Sequence, residues 1–295
     1  MTTPPLSVVV ASVNGFPYLG HCLDSLLARC PEAEIVVADC SNEETRQRVR
    51  EEWPEVTLVG FEEPTSVPAL RAAGIAAASA PHIAVIEDHC VVRNGWSTRL
   101  LAGHRAGRSI VGGPIRNGST DRLRDWAGFL FEYSAYMEPG PEGAVSELLG
   151  MNVSYDRRAI AAIDDLLREG KWESWLHARL RERGFELYSD SKASLDHVKD
   201  FGFREFAAQR FHYARAFAGM RTADLGRRRF LYAFGAPTLV PLLYARLARN
   251  VLRRGRHRRE FLLATPLLLV YVVVTAIGEA VGFAFGGGRS LLRVK

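Results

Sequence analysis

Short apolar runs alternate with longer amphipathic segments through residues 6–86, and this alternation constrains the fold more than any other feature. It predicts four strands, Leu6–Ala11, Glu34–Ala38, Val56–Val59 and Ile83–Ile86, separated by three helices, Tyr18–Cys30, Glu43–Glu52 and Val67–Ala80. The Val-rich first run is typical of a parallel strand that is covered on both faces. Repeated strand–helix units of this kind predict an α/β fold with a doubly wound sheet.

The alternation is less regular after Trp96. We predict strands at Ile110–Gly113, Val153–Tyr155 and Phe185–Tyr188, and helices at Arg157–Leu167 and Ser174–Arg183. The segment 121–143 mixes aromatic residues with Pro and Gly, and we interpret it as an excursion that faces the substrate. Residues 1–200 are therefore predicted to form the α/β domain.

The composition changes from about Phe203, and the remaining chain has features of a membrane-associated region. Residues 203–229 are predicted to form a basic helix. The stretch 230–245 has no charged residue, and 261–285 has only Glu279. About 20 apolar residues suffice to cross a bilayer, so we expect basic, interfacial helices over 201–260, one transmembrane helix at 261–285 and a tail at 286–295. A helical hairpin buried inside a soluble protein is the alternative.

The formal net charge of +5 is unevenly distributed, because ten arginines and no acid lie between Arg227 and Arg259. With apolar stretches on both sides, this block favours a membrane surface over nucleic acid. The four cysteines include no Cys-x-x-Cys pair and are expected to be reduced. The N-terminus lacks the basic and apolar regions of a signal peptide. We therefore expect an inner-membrane protein with a cytoplasmic α/β domain.

Acidic and imidazole side chains follow two of the predicted strands. Asp39 ends the second strand, where α/β domains bind nucleotides; a turn, or an N-cap in which Asp39 or Ser41 caps the next helix, is the alternative. Glu87, Asp88 and His89 follow the fourth strand. Carboxylate and imidazole groups, completed by water and phosphate oxygen atoms, suit Mn²⁺ or Mg²⁺. In an extended segment Glu87 and His89 point to one side, so we expect them to face one ligand; a polar turn is the alternative.

The stretch from Leu6 to about His197 resembles the inverting, GT-A-fold glycosyltransferases of the large family that includes cellulose, chitin and hyaluronan synthases. The family's Pro-x-x-Asn turn is matched by Ala11-Ser12-Val13-Asn14, its Asp-Asp-Gly-Ser motif by Asp39-Cys40-Ser41, and its Ala-Arg-Asn-x-Gly helix by Leu70-Arg71-Ala72-Ala73-Gly74. Its Asp-x-Asp metal motif is matched by Glu87-Asp88-His89, and its Gly-x-Asn strand by Gly150-Met151-Asn152. Counting back from Gly184-Phe185 places Trp172-Glu173 on the family's Glu-Asp motif.

The resemblance implies a GT-A-like, doubly wound mixed sheet and transfer of a sugar from a nucleoside-diphosphate sugar with inversion. It implies a donor site formed by Ala11, Ser12, Asn14, Asp39, Arg71, Glu87, Asp88 and Asn152. It further implies a divalent cation, Mn²⁺ or Mg²⁺, held by Glu87, His89 and His197. Glu173 takes the place of the general base that removes the acceptor's proton.

Two tryptophans, Trp172 and Trp175, flank Glu173 and are candidates for a wall of the acceptor site; core aromatics are the alternative. Without the resemblance, Glu173 is interpreted as an exposed acid at a helix start and His197 as a loop histidine. The membrane-facing C-terminus suggests a lipid-linked or polysaccharide acceptor and contact with membrane lipids. The helix around Phe211–Arg215 is a candidate for binding lipid diphosphates or anionic head groups, with a solvated face as the alternative.

Three other classes of function are compatible with single features of the sequence. A catalytically inactive, glycosyltransferase-like binding subunit is compatible with the departures from the family motifs at His89, Trp172 and Glu173. Nucleic-acid binding by the arginine block is disfavoured by the apolar stretches beside it. A dinucleotide-dependent oxidoreductase is disfavoured because no Gly-x-Gly-x-x-Gly follows the first strand.

Overall fold

The structure is a computed structural model that describes residues 3–200 and 202–294, without the side chains of residues 223 and 224. It divides into two compact units. Unit 1 comprises the described residues up to Gly118 together with Tyr136–Val198, and unit 2 comprises Ser119–Ala135 and the described residues from Lys199 onwards. The division after Val198 lies close to the domain boundary predicted at residue 200.

Unit 1 holds all the strands of the described chain. They are β1 (Ser7–Ser12), β2 (Glu34–Asp39), β3 (Thr57–Gly60), β4 (His82–Glu87), β5 (Cys90–Val92), β6 (Ile110–Gly112), β7 (Ile115–Asn117), β8 (Gly143–Val145), β9 (Val153–Asp156), β10 (Leu187–Ser189) and β11 (Leu195–His197). The α-helices are α1 (Tyr18–Arg29), α2 (Glu43–Glu52), α3 (Val67–Ala77), α4 (Trp96–Arg105), α5 (Leu123–Tyr133), α6 (Arg157–Ala161), α7 (Asp164–Arg168), α8 (Glu173–Glu182), α9 (Phe203–Leu225), α10 (Arg229–Gly235), α11 (Leu239–Arg254) and α12 (Arg258–Phe285). Helices α5 and α9–α12 belong to unit 2.

The main sheet has the strand order β3-β2-β1-β4-β9-β6-β10-β8. The first four strands in this order are parallel, whereas β9 runs antiparallel to both β4 and β6. The predicted α/β class with a mixed sheet is therefore confirmed. Since the chain winds from β1 out to β3 and then returns to place β4 on the other side of β1, the order reverses between β1 and β4. Such a switch point is where open α/β sheets bind ligands, at the carboxyl ends of the strands.

The core of unit 1 lies where α3 packs on β1. Val8, Val9 and Val10 are fully buried. Gly74 of α3 is so close to Val9 that an added Cβ would overlap Val9 Cγ1. This close approach packs α3 directly on the sheet, and Arg71, one turn before Gly74, reaches Glu87 at the carboxyl end of β4.

Two segments after residue 120 differ from what their sequence indicated. The predicted helix at 157–167 is two short helices, α6 and α7, separated at Ala162–Ile163. The segment 121–143, interpreted as an excursion that faces the substrate, begins with α5, which belongs to unit 2; its contact with a substrate stays a prediction. The apolar residues Ala127, Leu130 and Tyr133 recur at helical spacing and are buried. The Pro and Gly residues after α5 obscured this pattern.

Unit 2 is built around α12, which packs along α9 and α5. Gly278 and Gly282 lie so close to the backbone carbonyls of Phe211 and Arg215 on α9 that a Cβ would come within 2.5 Å of each oxygen atom. Small residues four apart allow this approach of two helix backbones. One side of α12 is therefore a helix–helix contact.

The opposite side of α12 exposes large apolar residues. They are Leu262, Leu263, Leu269, Val270, Val273, Ile277 and Phe285. Two helical stretches, Gly226–Arg254 and Arg258–Phe285, are long and apolar enough to cross a membrane, which is weak evidence because core helices of soluble proteins meet the same criterion. The predicted span at 261–285 lies within the second stretch, and the number of crossings stays a prediction.

Candidate active site

Arg71 of α3 connects three elements at the carboxyl end of β4. Its guanidinium forms ion pairs with the carboxylates of Glu87, at the end of β4, and Glu173, at the start of α8. The three side chains are largely buried, with 8% of Arg71, 17% of Glu87 and 18% of Glu173 exposed. Ion pairs with such limited access to water are screened less than surface pairs. The fold thus gathers three of the residues that the sequence predicted for the site.

Glu173 is held in place from the other side by Gly150. A Cβ added to Gly150 would overlap the carboxyl group of Glu173. The backbone at Gly150 has no left-handed conformation, so the glycine is required by the close approach and not by a turn. The Gly-x-Asn segment therefore fixes the position of the candidate base.

His89 lies beside Glu87, with 3.3 Å between His89 Nε2 and Glu87 Oε2. Its other ring nitrogen, Nδ1, is 3.0 Å from Asp88 Oδ1. The ring of His197 packs edge-on against it, with 4.6 Å between the ring centroids, because β11 pairs with β5 directly after His89. Glu87 and His89 thus lie together as predicted. Asp88 and His89 form a turn and not an extended segment, so the polar-turn alternative describes the backbone, and the Asp88 carboxylate contacts the same imidazole from its other nitrogen.

The contacts of the Glu87, Asp88, His89 and His197 side chains indicate how well this cluster fits a metal ion. Among the residues that the structure describes, no group of three or more His, Cys, Asp and Glu side chains is arranged to hold a metal ion. However, His89 Nε2 is buried without a hydrogen-bond partner and faces a carboxylate oxygen of Glu87. Mg²⁺-type sites often use only one or two protein ligands and complete their shell with substrate phosphates and water. Glu87 and His89 therefore fit a cation that arrives with a diphosphate.

Asp88 is fully buried and organises the loop after β1. One of its oxygen atoms accepts hydrogen bonds from the backbone N–H groups of Val13, at 2.9 Å, and Asn14, at 2.7 Å, and the other accepts from Asn14 Nδ2 at 2.8 Å. Burial pushes the pKa of Asp88 upwards, but the hydrogen bonds and charge of His89 and the bonds from Asn14 outweigh burial, so the net shift of the pKa is downwards. The ionised carboxylate ties the β1 loop to the end of β4.

Asp39 has a similar role at the ends of β1 and β2. It is fully buried and accepts hydrogen bonds from Ser12 Oγ at 2.7 Å and Ser41 Oγ at 2.8 Å. Burial raises the pKa of Asp39 in spite of these donors and the nearby Arg46. The helix-capping alternative is wrong for this residue, because Asn42 caps α2 through the backbone N–H of Thr45.

Asn152 is also fully buried and hydrogen-bonded within unit 1. Its Oδ1 accepts from Trp96 Nε1 at 2.8 Å, and its Nδ2 donates to the carbonyls of Pro114 and Ala193, both at 2.9 Å. These bonds hold the turn that carries Gly150. Direct bonds from Asp39, Asp88 or Asn152 to a donor stay predictions.

The remaining predicted residues lie at the edges of this cluster. Ala11 is buried on β1, and its carbonyl accepts a hydrogen bond from the Asp88 N–H at 3.1 Å. Trp172 is only 7% exposed, as the core alternative predicts, whereas Trp175 is half-buried. Of the two, Trp175 has the side chain that offers surface to an acceptor.

Sequence reasoning missed a buried pair behind Glu173. Tyr155 Oη lies 2.9 Å from His177 Nε2. Burial, followed by the charges of Arg181 and Arg71, lowers the pKa of His177 to about 3, and burial raises that of Tyr155. A cavity of about 20 Å³ is lined in part by Tyr155 and by Arg71 and Glu173 of the cluster. The available signal was the spacing of four residues between Glu173 and His177, which places both on one face of α8.

A mixed α/β sheet with an acidic and imidazole cluster at its switch point defines the class of GT-A-like glycosyltransferase domains. The chain belongs to glycosyl transferase family 2, whose profile matches residues 7–161, more than half of its length. The family resemblance found in the sequence is thereby confirmed. No sequence among the curated proteins matches the chain.

Solved structures are similar in fold. One is the mannosyltransferase PcManGT from Pyrobaculum calidifontis in complex with GDP-Man and Mn²⁺, with a TM-score of 0.57 and 15% identity over 95% of this chain and 88% of that chain. Another is S. aureus TarS 1–349, with a TM-score of 0.50 and 13% identity over 92% and 90%. Longer S. aureus TarS matches with a TM-score of 0.52 and 12% identity, over 94% of this chain and 55% of its own. At these identities the likeness establishes the fold.

Proposed function

We propose that this glycosyltransferase moves a sugar from a nucleoside-diphosphate sugar to a lipid-linked or polysaccharide acceptor, with inversion at the anomeric carbon. The observation that carries this proposal is the chain of ion pairs Glu173–Arg71–Glu87 at the carboxyl end of β4. The donor class is supported by PcManGT, the similar structure that was solved with GDP-Man. We place the donor at the ends of β1 and β2, beside Ala11, Ser12, Asn14 and Asp39.

Inversion requires one displacement, in which a carboxylate removes the proton of the acceptor hydroxyl on the face opposite the leaving group. Glu173 is the general base in this proposal. Arg71 and Gly150 hold its carboxylate from two sides, and such positioning lowers the barrier because the reacting groups are already oriented. Trp172 and Trp175 stay the proposed residues of the acceptor site, although Trp175 lies two residues further along α8 and so on a different face of the helix from Glu173.

The leaving nucleoside diphosphate gains negative charge during the transfer. Arg71 supplies a positive charge beside Glu87, and preorganised charge of this kind stabilises the transition state. A divalent cation, when bound by Glu87 and His89 with the diphosphate, would neutralise this charge further. His197 packs edge-on against His89 and stays the third proposed ligand of this cation.

We further propose that unit 2 associates with the inner membrane and leaves the catalytic unit in the cytoplasm. The support is the exposed apolar surface of α10 and α12, where Phe234 is 90% and Phe285 80% exposed. Several large apolar side chains exposed on one helix are typical of a membrane or partner contact. A lipid-linked or growing polysaccharide acceptor is accessible from such a position.

The test is a panel of nucleotide sugars with the detergent-purified full-length protein, with and without Mn²⁺ or Mg²⁺. We expect metal-stimulated binding and hydrolysis of one donor. Glu173→Gln should lower kcat about 10²–10⁴-fold, the usual contribution of a general base, and leave the donor Kd within about twofold. Glu182→Gln, at the other end of α8 and 72% exposed, is the matched control.

Two outcomes contradict the proposal. Donor binding without turnover, in the presence of membrane acceptors, would favour the catalytically inactive binding subunit. If the protein binds no nucleotide sugar, the proposed donor site at the carboxyl ends of β1, β2 and β4 is wrong.

A further inference from the structure

The carboxyl end of α12 and the tail that follows it bring cations against α9 within unit 2. The chain turns after Phe285 through Gly286–Gly288, with φ of 80° at Gly286 and 52° at Gly288. A 3₁₀ turn, Ser290–Arg293, follows. His212 and Arg215 approach from α9, and Arg293 belongs to the tail. None of these residues takes part in the proposed transfer chemistry.

The glycine turn and the tail fix the two α9 side chains. Arg215 Nε donates a hydrogen bond to the carbonyl of Gly286 at 3.2 Å. A Cβ at Gly288 would lie 3.0 Å from Arg215 Nη2, so the backbone passes directly beside the guanidinium. His212 Nδ1 lies 3.2 Å from Ser290 Oγ. These contacts hold the imidazole of His212 and the guanidinium of Arg215 in place. The guanidinium N–H groups other than Nε–H are then available as hydrogen-bond donors.

The charges in this cluster are not balanced by acids. In the described part of the chain, no carboxylate pairs with His212, Arg215 or Arg293. Arg210, on the same helix, is by contrast paired with Glu132 at 2.9 Å. Burial lowers the pKa of His212, and the charges of Arg293 and Arg215 lower it further. An anion would relieve this repulsion.

We propose that His212, Arg215 and Arg293, brought together by the Gly286–Gly288 turn, bind the phosphate group of an anionic lipid. Guanidinium groups form strong, charge-assisted hydrogen bonds with phosphate oxygen atoms. The lipid source is favoured by position, because the exposed apolar side of α12 ends here at Phe285, which is 80% exposed, and Leu292 beside the cluster is 44% exposed. A head-group phosphate lies at the depth where a membrane-embedded apolar surface ends.

The experiment measures binding of dioctanoyl-phosphatidylglycerol to the full-length protein in an uncharged detergent, with dioctanoyl-phosphatidylcholine and inorganic phosphate as separate arms. We expect phosphatidylglycerol to bind, and both Arg293→Gln and Arg215→Gln to weaken its binding about fivefold each, about 25-fold together. Arg204→Gln, an exposed arginine on the same helix, is the matched control and should leave the affinity unchanged.

Phosphatidylglycerol binding that is unaffected by Arg293→Gln would overturn the site. This variant guards against misfolding as an explanation, because Arg293 makes no hydrogen bond or ion pair within the described residues. Equal binding of phosphatidylcholine would overturn the requirement for an anionic lipid. Inorganic phosphate that binds as tightly as phosphatidylglycerol, with the same dependence on Arg215 and Arg293, would overturn the lipid source in favour of a free phosphate.

Discussion

At the scale of single residues, the candidate site depends on side chains that are packed more closely than a surface cluster would be. Arg71 binds two carboxylates at once, and Gly150 lies against one of them. The sequence predicted Arg71, Glu87 and Glu173 from their order in the family motifs. It did not predict that one arginine joins both acids, because this contact depends on where α3 and α8 meet.

Gly150→Ala tests the positioning of Glu173. The added methyl group would overlap the Glu173 carboxyl group, so the base must move. Since a displacement of about 1 Å from the reactive geometry costs about 100-fold in rate, we expect kcat to fall by about that factor while the donor KM stays nearly constant. Steady-state kinetics with the preferred donor provides the measurement.

The control for this variant is Gly235→Ala, because a Cβ at Gly235 meets no atom within 4 Å. Full activity of Gly150→Ala would show that Glu173 is not held by this contact.

At the scale of elements, the first four strands of the sheet and the helices between them followed from local patterns. Helix α2 has the predicted bounds. The observed ends of the first four strands differ from the predicted ends by no more than one residue. Helix α5 was missed because its role depends on packing in unit 2 rather than on its neighbours in sequence. Local periodicity identifies an element, but it does not identify the element's partners.

The contact between α3 and β1 gives a prediction at this scale. Gly74→Ala forces a methyl group into Val9 and should destabilise unit 1 by about 1–3 kcal/mol, the usual cost of overpacking a core. Val9→Ala removes the obstructing methyl groups. The double variant should therefore be more stable than the sum of the two single effects predicts, by about 0.5–3 kcal/mol.

Urea unfolding of the four proteins measures this coupling. If the effects of Gly74→Ala and Val9→Ala on the free energy of unfolding are additive, the close contact between these two residues is contradicted. Because Arg71 lies one turn before Gly74 on α3, the same variants report whether the position of this helix controls catalysis.

At the scale of the whole molecule, two units of different character share one chain. In unit 1 most large apolar side chains are buried between the sheet and its helices. In unit 2 many large apolar side chains are exposed. The arginine block between Arg227 and Arg259 lies beside these exposed residues in the sequence. Apolar surface flanked by arginine favours the interface of an anionic membrane.

The exposed side of α12 provides the corresponding prediction. Leu269→Glu combined with Ile277→Glu places two charges on that side, where the wild-type residues are 41% and 51% exposed. A charge in the hydrocarbon region costs about 2.5–3.5 kcal/mol, so we expect the protein to shift from the membrane pellet to the supernatant. Sedimentation of cell membranes, followed by immunoblotting, measures the distribution.

Leu123→Glu is the control, because Leu123 is also 41% exposed but lies outside both apolar stretches. An unchanged distribution of the double variant would argue against membrane contact through this side of α12.

The sequence by itself determined the four strands and three helices of residues 6–86, the acids and imidazoles at the strand ends, and the change of composition near residue 200. These properties depend on periodicity and residue type within short segments. Only the tertiary structure decided that Arg71 joins Glu87 to Glu173, that Asp39 and Asp88 are buried supports of the β1 end, and that α5 packs with the C-terminal helices. Each of these depends on contacts between residues far apart in the chain, which packing of the whole core selects.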